Sequence, residues 1–254
     1  MTEAPTVLLD LEDGIATVTL NRPAQRNALN LAMCDDLHRV MTAVNRDATV
    51  RVVVFKANGP VFGAGADLKE RVGKSAEWVR ERRRRAFAAY EELAGCVKPC
   101  LAAVHGAAVG SSAEIASACD FVILSTAASF RYPEVIRGTV GATQRLPRIV
   151  GKALAKELLF TGRIVDSDEA VRIGLANRAV PPDQLDAVVG ELARTIAAAP
   201  PLAIQLVKRC IDQGVETDLA SGIAIERQAI EQALAGDEWQ QGVAAFVAGA
   251  PDRK

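Results

Sequence analysis

The stretch His105-Gly106-Ala107-Ala108-Val109-Gly110-Ser111-Ser112-Ala113-Glu114 decides how the chain is read. It continues an apolar run that begins at Cys100 and reads as buried strand. From Ser111 to Ala118 it reads as helix. A strand that turns into a helix through glycine points unpaired N–H groups, and the positive end of the helix dipole, at one spot. A second turn of this kind lies upstream, in Val61-Phe62-Gly63-Ala64-Gly65-Ala66-Asp67-Leu68, just after Asn58-Gly59-Pro60. Its four small residues let another molecule come close to the backbone. Two such turns brought together would offer a pair of donors to a developing oxyanion. Neither is a phosphate loop: there is no GxxxxGK[ST], and no GxGxxG after a strand. Ala-Gly-Ala also occurs in ordinary tight turns, so spacing alone leaves both readings open.

Two carboxylates accompany these turns. Glu114 sits in the apolar segment Ala113-Glu114-Ile115-Ala116, and Glu134 lies between Tyr132-Pro133 and Val135-Ile136. A buried carboxylate must be paired, hydrogen-bonded or protonated. Two that share a site divide into one acid and one base, which is what hydration chemistry needs. Each could equally be a structural ion, paired with Arg131 or Arg137.

Upstream, Val7-Leu8-Leu9-Asp10-Leu11 and Ile15-Ala16-Thr17-Val18-Thr19-Leu20 read as a hairpin around Gly14. In the second strand Ala16, Val18 and Leu20 share a face. Asn30 is an N-cap, followed at helical spacing by Met33, Leu37, Val40, Met41 and Val44. A buried strand follows from Val50 to Phe55. Downstream, Phe121 to Leu124 is a short strand, and Thr143 to Phe160 reads as one helix ending before Gly162. Asp166-Ser167-Asp168-Glu169 opens a short helix that stops at Gly174. From Asp183 on, strand-like runs vanish and the chain reads as a helical appendage, with helices at Asp183–Ala198, Pro201–Gln213 and Thr217–Ala235 and a tail to Phe246. The division drawn is a core over 1–195 and a helical region over 196–254.

Composition narrows the function classes. The chain has 254 residues, half of them hydrophobic, and 30 Lys and Arg against 31 Asp and Glu, for a net charge of −1. That supports a folded core and gives no general attraction to nucleic acid or anionic lipid. No run reaches the roughly 18 apolar residues of a membrane span, so no membrane partner is expected. Five cysteines without CxxC spacing, and two distant histidines, argue for reduced thiols, a cytoplasmic protein and no metal. The run Arg80-Glu81-Arg82-Arg83-Arg84-Arg85 reads as a solvated helix face, with phosphate or RNA contact as the alternative.

Taken together, these stretches resemble the crotonase superfamily, in its enoyl-CoA hydratase/isomerase branch. The resemblance rests on Leu20-Asn21-Arg22-Pro23 with Asn27-Ala28-Leu29-Asn30, on Phe62 to Glu70, on Gly106 to Glu114 with Cys119-Asp120, and on Tyr132-Pro133-Glu134 with Thr143-Gln144-Arg145-Leu146-Pro147. Thr161-Gly162-Arg163, Gly174-Leu175 and Gly242 to Phe246 extend it nearly to the C-terminus. It implies an α/β fold: a spiral of strand–strand–helix units with C-terminal helices that drive trimer formation, two trimers often stacking as a hexamer. It also implies an acyl-CoA thioester substrate, with its carbonyl between the N–H groups of Ala64 and Ser111. The coenzyme end would lie near Gln25, Arg26, Ala28, Ala66, Asp67 and Leu68. No cofactor or metal is implied, because coenzyme A is part of the substrate.

Hydratases of this family carry two glutamates with the spacing of Glu114 and Glu134, twenty positions apart. The resemblance therefore implies addition of water to a trans-2-enoyl-CoA, giving a 3-hydroxyacyl-CoA. Glu114 would act on the water and Glu134 on the proton at C2. An isomerase, or a non-catalytic acyl-CoA or RNA-binding protein on the same scaffold, are the alternatives. Three departures bear on substrate choice. Ser111-Ser112 replace the usual Gly-Gly, the loop after Glu134 is about three residues short, and Arg131 and Tyr132 could narrow the pocket.

Overall fold

The computed structural model describes residues 4–248. In chain order the strands are β1 (Val7–Glu12), β2 (Ile15–Leu20), β3 (Val52–Ala57), β4 (Cys100–Val104), β5 (Ala107–Val109), β6 (Phe121–Ser125), β7 (Ser129–Arg131), β8 (Ile164–Asp166) and β9 (Arg178–Val180). The helices are α1 (Leu31–Arg46), α2 (Ala76–Ala94), α3 (Ser111–Ala118), α4 (Arg145–Val150), α5 (Lys152–Thr161), α6 (Ser167–Arg172), α7 (Leu185–Ala197), α8 (Pro201–Gly214), α9 (Leu219–Leu234) and α10 (Glu238–Val247).

A six-stranded sheet has the order β1-β2-β3-β4-β6-β9, parallel except for the β1–β2 hairpin. A three-stranded sheet has the order β5-β7-β8. This is the expected α/β architecture of strand–strand–helix units. The hairpin turn places both Asp13 (φ 49°) and Gly14 (φ 77°) in the left-handed region that two-residue hairpins favour.

The large sheet is covered on both faces, so β4 is buried along its whole length. On one face Val53, Phe55, Ala102 and Val104 pack with Met33, Leu37 and Met41 of α1 and with Leu93 of α2. On the other, Val52, Val54, Leu101 and Ala103 pack with Leu185, Val189 and Ala193 of α7. β2 alternates as its sequence requires, with Ala16, Val18 and Leu20 buried.

Three expectations change. The run from Cys100 to Val109 is two strands, because Gly106 turns the chain between sheets; a Cβ there would lie 2.9 Å from the carbonyl oxygen of Pro60. The helix expected over Thr143–Phe160 is two, α4 and α5, broken at Gly151 (φ 79°). The appendage begins at α8, since α7 is the second layer of the sheet. α8 and α9 approach closely at Gly214 and Gly222, and α10 caps α8 when Glu238 accepts from the N–H groups of Leu202 and Ala203 (3.3 Å each). These last helices leave Val207, Ile211, Val215, Leu219, Trp239 and Phe246 exposed.

Candidate active site

The two glycine turns do meet. Gly63 and Ala108 form a parallel bridge: the N–H of Gly63 donates to the carbonyl of Ala107 (3.0 Å), and the N–H of Val109 donates to that of Gly63 (2.9 Å). The Gly65 N–H donates to the Ser112 hydroxyl (3.2 Å). A Cβ on Gly63 would fall 2.1 Å from Ser112 Oγ, and one on Gly65 would fall 2.7 Å from the carbonyl oxygen of Val109. Glycine is thus required at both positions by contact between the turns, and Gly65 also has φ 85°. Ser112 is fully buried and ties the two turns together.

This packing moves one donor. The Ala64 N–H, expected at the oxyanion, donates to the carbonyl of Arg26 (2.9 Å) and is not available. The Ala66 N–H, two residues on, has no acceptor among the described residues. The N–H of Ser111, at the first position of α3, has no partner within the helix. Ala66 and Ser111 line the same cavity, of about 70 Å³. Both thus bring to that cavity a backbone N–H without a backbone acceptor. The sequence misleads because Gly63-Ala64-Gly65-Ala66 holds two alanines in similar settings, and only the bridge to the segment before α1 tells them apart.

That segment and the second turn form one lip. Leu29 N–H donates to Gly65 O (2.8 Å) and Asp67 N–H to Leu29 O (2.9 Å). Gln25, Arg26 and Leu68 are exposed there, with Ala28 and Ala66 half-buried. Asp67, expected at the coenzyme, is a strut instead: its carboxylate pairs with Arg22 (3.2 Å) and accepts from Lys69 N–H (3.2 Å). Asn27, which sequence reasoning passed over, is completely buried. It accepts from Arg22 N–H and donates to the carbonyls of Asn58 and Val61.

Glu114 and Glu134 line the cavity together with Tyr90, Gly110 and Gly141. One turn of α3 beyond Ser111 aims Glu114 inward. Its Oε1 accepts from the N–H of Ala142 (3.0 Å), a non-glycine residue at φ 55°. That conformation costs about 1–2 kcal/mol, and here it delivers an amide to a carboxylate. Glu134 is gripped by glycines: a Cβ on Gly110 would sit 2.7 Å from its Oε1, and one on Gly141 3.0 Å from its Cγ. Its Oε2 is buried without a hydrogen-bond partner. Burial raises both carboxyl groups above the ordinary range, and repulsion from Glu134 adds to the rise at Glu114. Arg83 works against the rise at both. Such a pair favours holding one proton between its members.

The remaining candidates lie elsewhere. Arg131 donates to the carbonyl of Gly162 (2.7 Å), and the Tyr132 hydroxyl meets that of Ser117 (3.3 Å), so neither narrows the cavity. The loop after Glu134 does border it, through Arg137, Thr139, Val140 and Gly141. The arginine run divides. Arg84 is exposed and pairs with Glu81, and Arg85 pairs with Asp35, but Arg82 is buried and Arg83 lines the cavity. His105 is structural, bonded to Gly59 O (2.9 Å).

A spiral of strand–strand–helix units, with paired amides and paired glutamates at one cavity, defines a crotonase-type acyl-CoA enzyme. The family profile described as enoyl-CoA hydratase/isomerase matches residues 10–251, and the chain belongs to that family. It is 37% identical over 246 residues to a probable enoyl-CoA hydratase of Rhizobium meliloti, covering 96% of this chain and 95% of that one. It is 36% identical to a crotonyl-CoA hydratase of Syntrophomonas wolfei, covering 95% and 94%. The crystal structure of an enoyl-CoA hydratase from Bacillus anthracis superposes with a TM-score of 0.93 at 35% identity, covering 96% of both chains.

Proposed function

We propose that the protein adds water to a trans-2-enoyl-CoA to give a 3-hydroxyacyl-CoA. The observation that carries this is the convergence of Glu114 and Glu134 on the cavity that also holds the unpaired amides of Ala66 and Ser111. The thioester oxygen accepts from those two N–H groups. Negative charge grows on it as water attacks C3, and each donor is worth roughly 2.7–4 kcal/mol at comparable sites. The lip of Gln25, Arg26, Ala28, Ala66 and Leu68 receives the coenzyme.

With Ala142 N–H on one oxygen, Glu114 has the other free to take the proton of the attacking water. Glu134 Oε2 is buried without a donor, where a proton costs least, and it supplies the hydrogen added at C2. The product thus carries the water's hydroxyl on C3, and passage of a proton from Glu114 to Glu134 restores the pair. No metal or redox group takes part in these steps.

Loss of the conjugated enoyl-thioester absorbance tests the reading. Turnover of crotonyl-CoA or a longer trans-2-enoyl-CoA supports it; turnover that survives both Glu114→Gln and Glu134→Gln removes these residues from the chemistry. The exposed apolar residues of α8 to α10 support assembly as a homotrimer or a hexamer. Light scattering on the purified protein reads that directly, and a monomer at micromolar concentration rejects it.

A further inference from the structure

Much of the cavity's lining is arginine. Arg71, Arg82, Arg83 and Arg137 all line it, beside Phe87, Tyr90, Thr139 and Val140. Arg82 is buried, Arg71 and Arg83 are half-buried and Arg137 is exposed; a plain hydrocarbon chain gains nothing from guanidinium groups along its wall, and those partly withdrawn from water cost desolvation. Arg82 is accounted for: it is buried, donates to Leu29 O and pairs with Glu70 (3.5 Å). Arg83 meets only neutral acceptors, Thr139 Oγ1 and the Val140 carbonyl (3.2 Å). Arg71 is half-buried and its Nε is fully buried with no hydrogen-bond partner. Among the described residues, Arg71, Arg83 and Arg137 form no ion pair.

The positive charge is not there for the glutamates alone. The two carboxyl groups carry at most two negative charges, against three guanidinium groups that form no ion pair among the described residues. Burial and repulsion from Arg82 and Arg83 hold Arg71 below the ordinary guanidinium value, so the cluster is under electrostatic load. The Tyr90 hydroxyl is buried in the same cavity, beside the Ser111 side chain. Unpaired donors facing one cavity are what an anionic ligand group would satisfy. Arg71 neighbours Arg82, Arg83 and Tyr90 within the cavity; Leu68 of the lip lines it too, so titration of free coenzyme A is what distinguishes its phosphates from a charged acyl end.

We infer that the acyl group of the substrate ends in a carboxylate, and that Arg71 and Arg83 bind it. The substrate class is then the enoyl thioester of a dicarboxylic acid. The assignment rests on the acyl-CoA reading of this site, but binding can be measured without turnover.

Calorimetry with saturated thioesters makes the test. Glutaryl- and adipyl-CoA, butyryl- and hexanoyl-CoA, free coenzyme A and the methyl ester of glutaryl-CoA are titrated into the full-length wild-type protein. Expected is binding of at least one carboxylated thioester about 10- to 100-fold tighter than its uncharged counterparts, the span of a charge-assisted hydrogen bond. Arg71→Met and Arg83→Met should each remove most of that preference. Equal affinity of wild type for charged and uncharged thioesters overturns the inference, whether or not the variants fold. So does a preference that survives both substitutions, or an equal loss of affinity for free coenzyme A, which would mark a phosphate site. Separately, kcat/KM for glutaconyl-CoA against crotonyl-CoA reports on hydration: absence of turnover with both, alongside intact selective binding, defeats the hydratase reading and leaves this one standing.

Discussion

The two walls of the cavity are built on opposite principles. On the amide wall nearly every polar group is engaged: Gly63, Ala64, Gly65 and Asp67 all donate to fixed acceptors, leaving Ala66 to point inward. On the arginine wall, Arg71 Nε is buried and unpartnered, and Arg83 meets only neutral acceptors. The first wall can tolerate little change because backbone meets backbone. The second is made of side chains, and so can vary with the substrate while the chemistry stays put. A fixed backbone surface and an adjustable side-chain surface thereby share one small space.

The largest effects should come from the acid–base pair between the walls. Glu114→Gln and Glu134→Gln are each expected to lower the rate of enoyl-thioester hydration about 10²–10⁴-fold, with thioester binding largely retained. A loss confined to KM would mean that they bind rather than react.

Next is the interlock of the amide wall. Gly63→Ala puts a methyl 2.1 Å from Ser112 Oγ and 2.7 Å from its Cβ. It should cost about 1–3 kcal/mol in denaturant unfolding and most of the activity. Adding Ser112→Gly removes both clashing atoms and should recover part of each; no recovery would mean that the clash is relieved elsewhere. Ser112→Ala alone removes the bond to Gly65 N–H and should cost about 1 kcal/mol.

A pH series separates catalysis from stability at Glu134. Burial raises its folded pKa above the unfolded value. Its contribution to stability is therefore fully present below the unfolded carboxyl pKa and is lost as pH rises through the folded one. Glu134→Gln, inactive, should then melt higher than wild type at pH 8, and the difference should shrink as the pH falls towards the ordinary carboxyl range. A gap that widens on acidification reverses the assigned direction. The smallest effect is reserved for the outer face of α2. Arg84→Ala breaks an exposed pair with Glu81 and should change stability by less than about 0.5 kcal/mol. Its contrast with Arg83→Met, one residue along, measures how sharply the helix divides surface from cavity.

Much of this was legible in the sequence where a local rule decides. Asn30 caps α1 by accepting from Met33 N–H (2.9 Å), and Asp166 caps α6 through Glu169 N–H (2.8 Å), as side-chain chemistry requires. The two glycine turns and two glutamates were visible as chemistry seeking a partner. What was hidden depends on non-local contact. β7, β8 and β9 have three residues each, too short for alternation to register, and exist because neighbours pair with them. Ala64 and Ala66 differ only through the carbonyl of Arg26. Arg82 and Arg83 look like their neighbours in a charged run, and only the packing of α2 against α1 and α3 turns them inward.

The contact between Gly63 and Ser112 carries a lesson about descent by single substitutions. A side chain at 63 is barred while serine stands at 112, so a lineage can reach it only after 112 has shrunk. The reverse order passes through a crippled intermediate. Position 112 thus acts as a latch on which neighbouring genotypes are open to the chain, although its side chain never meets the substrate.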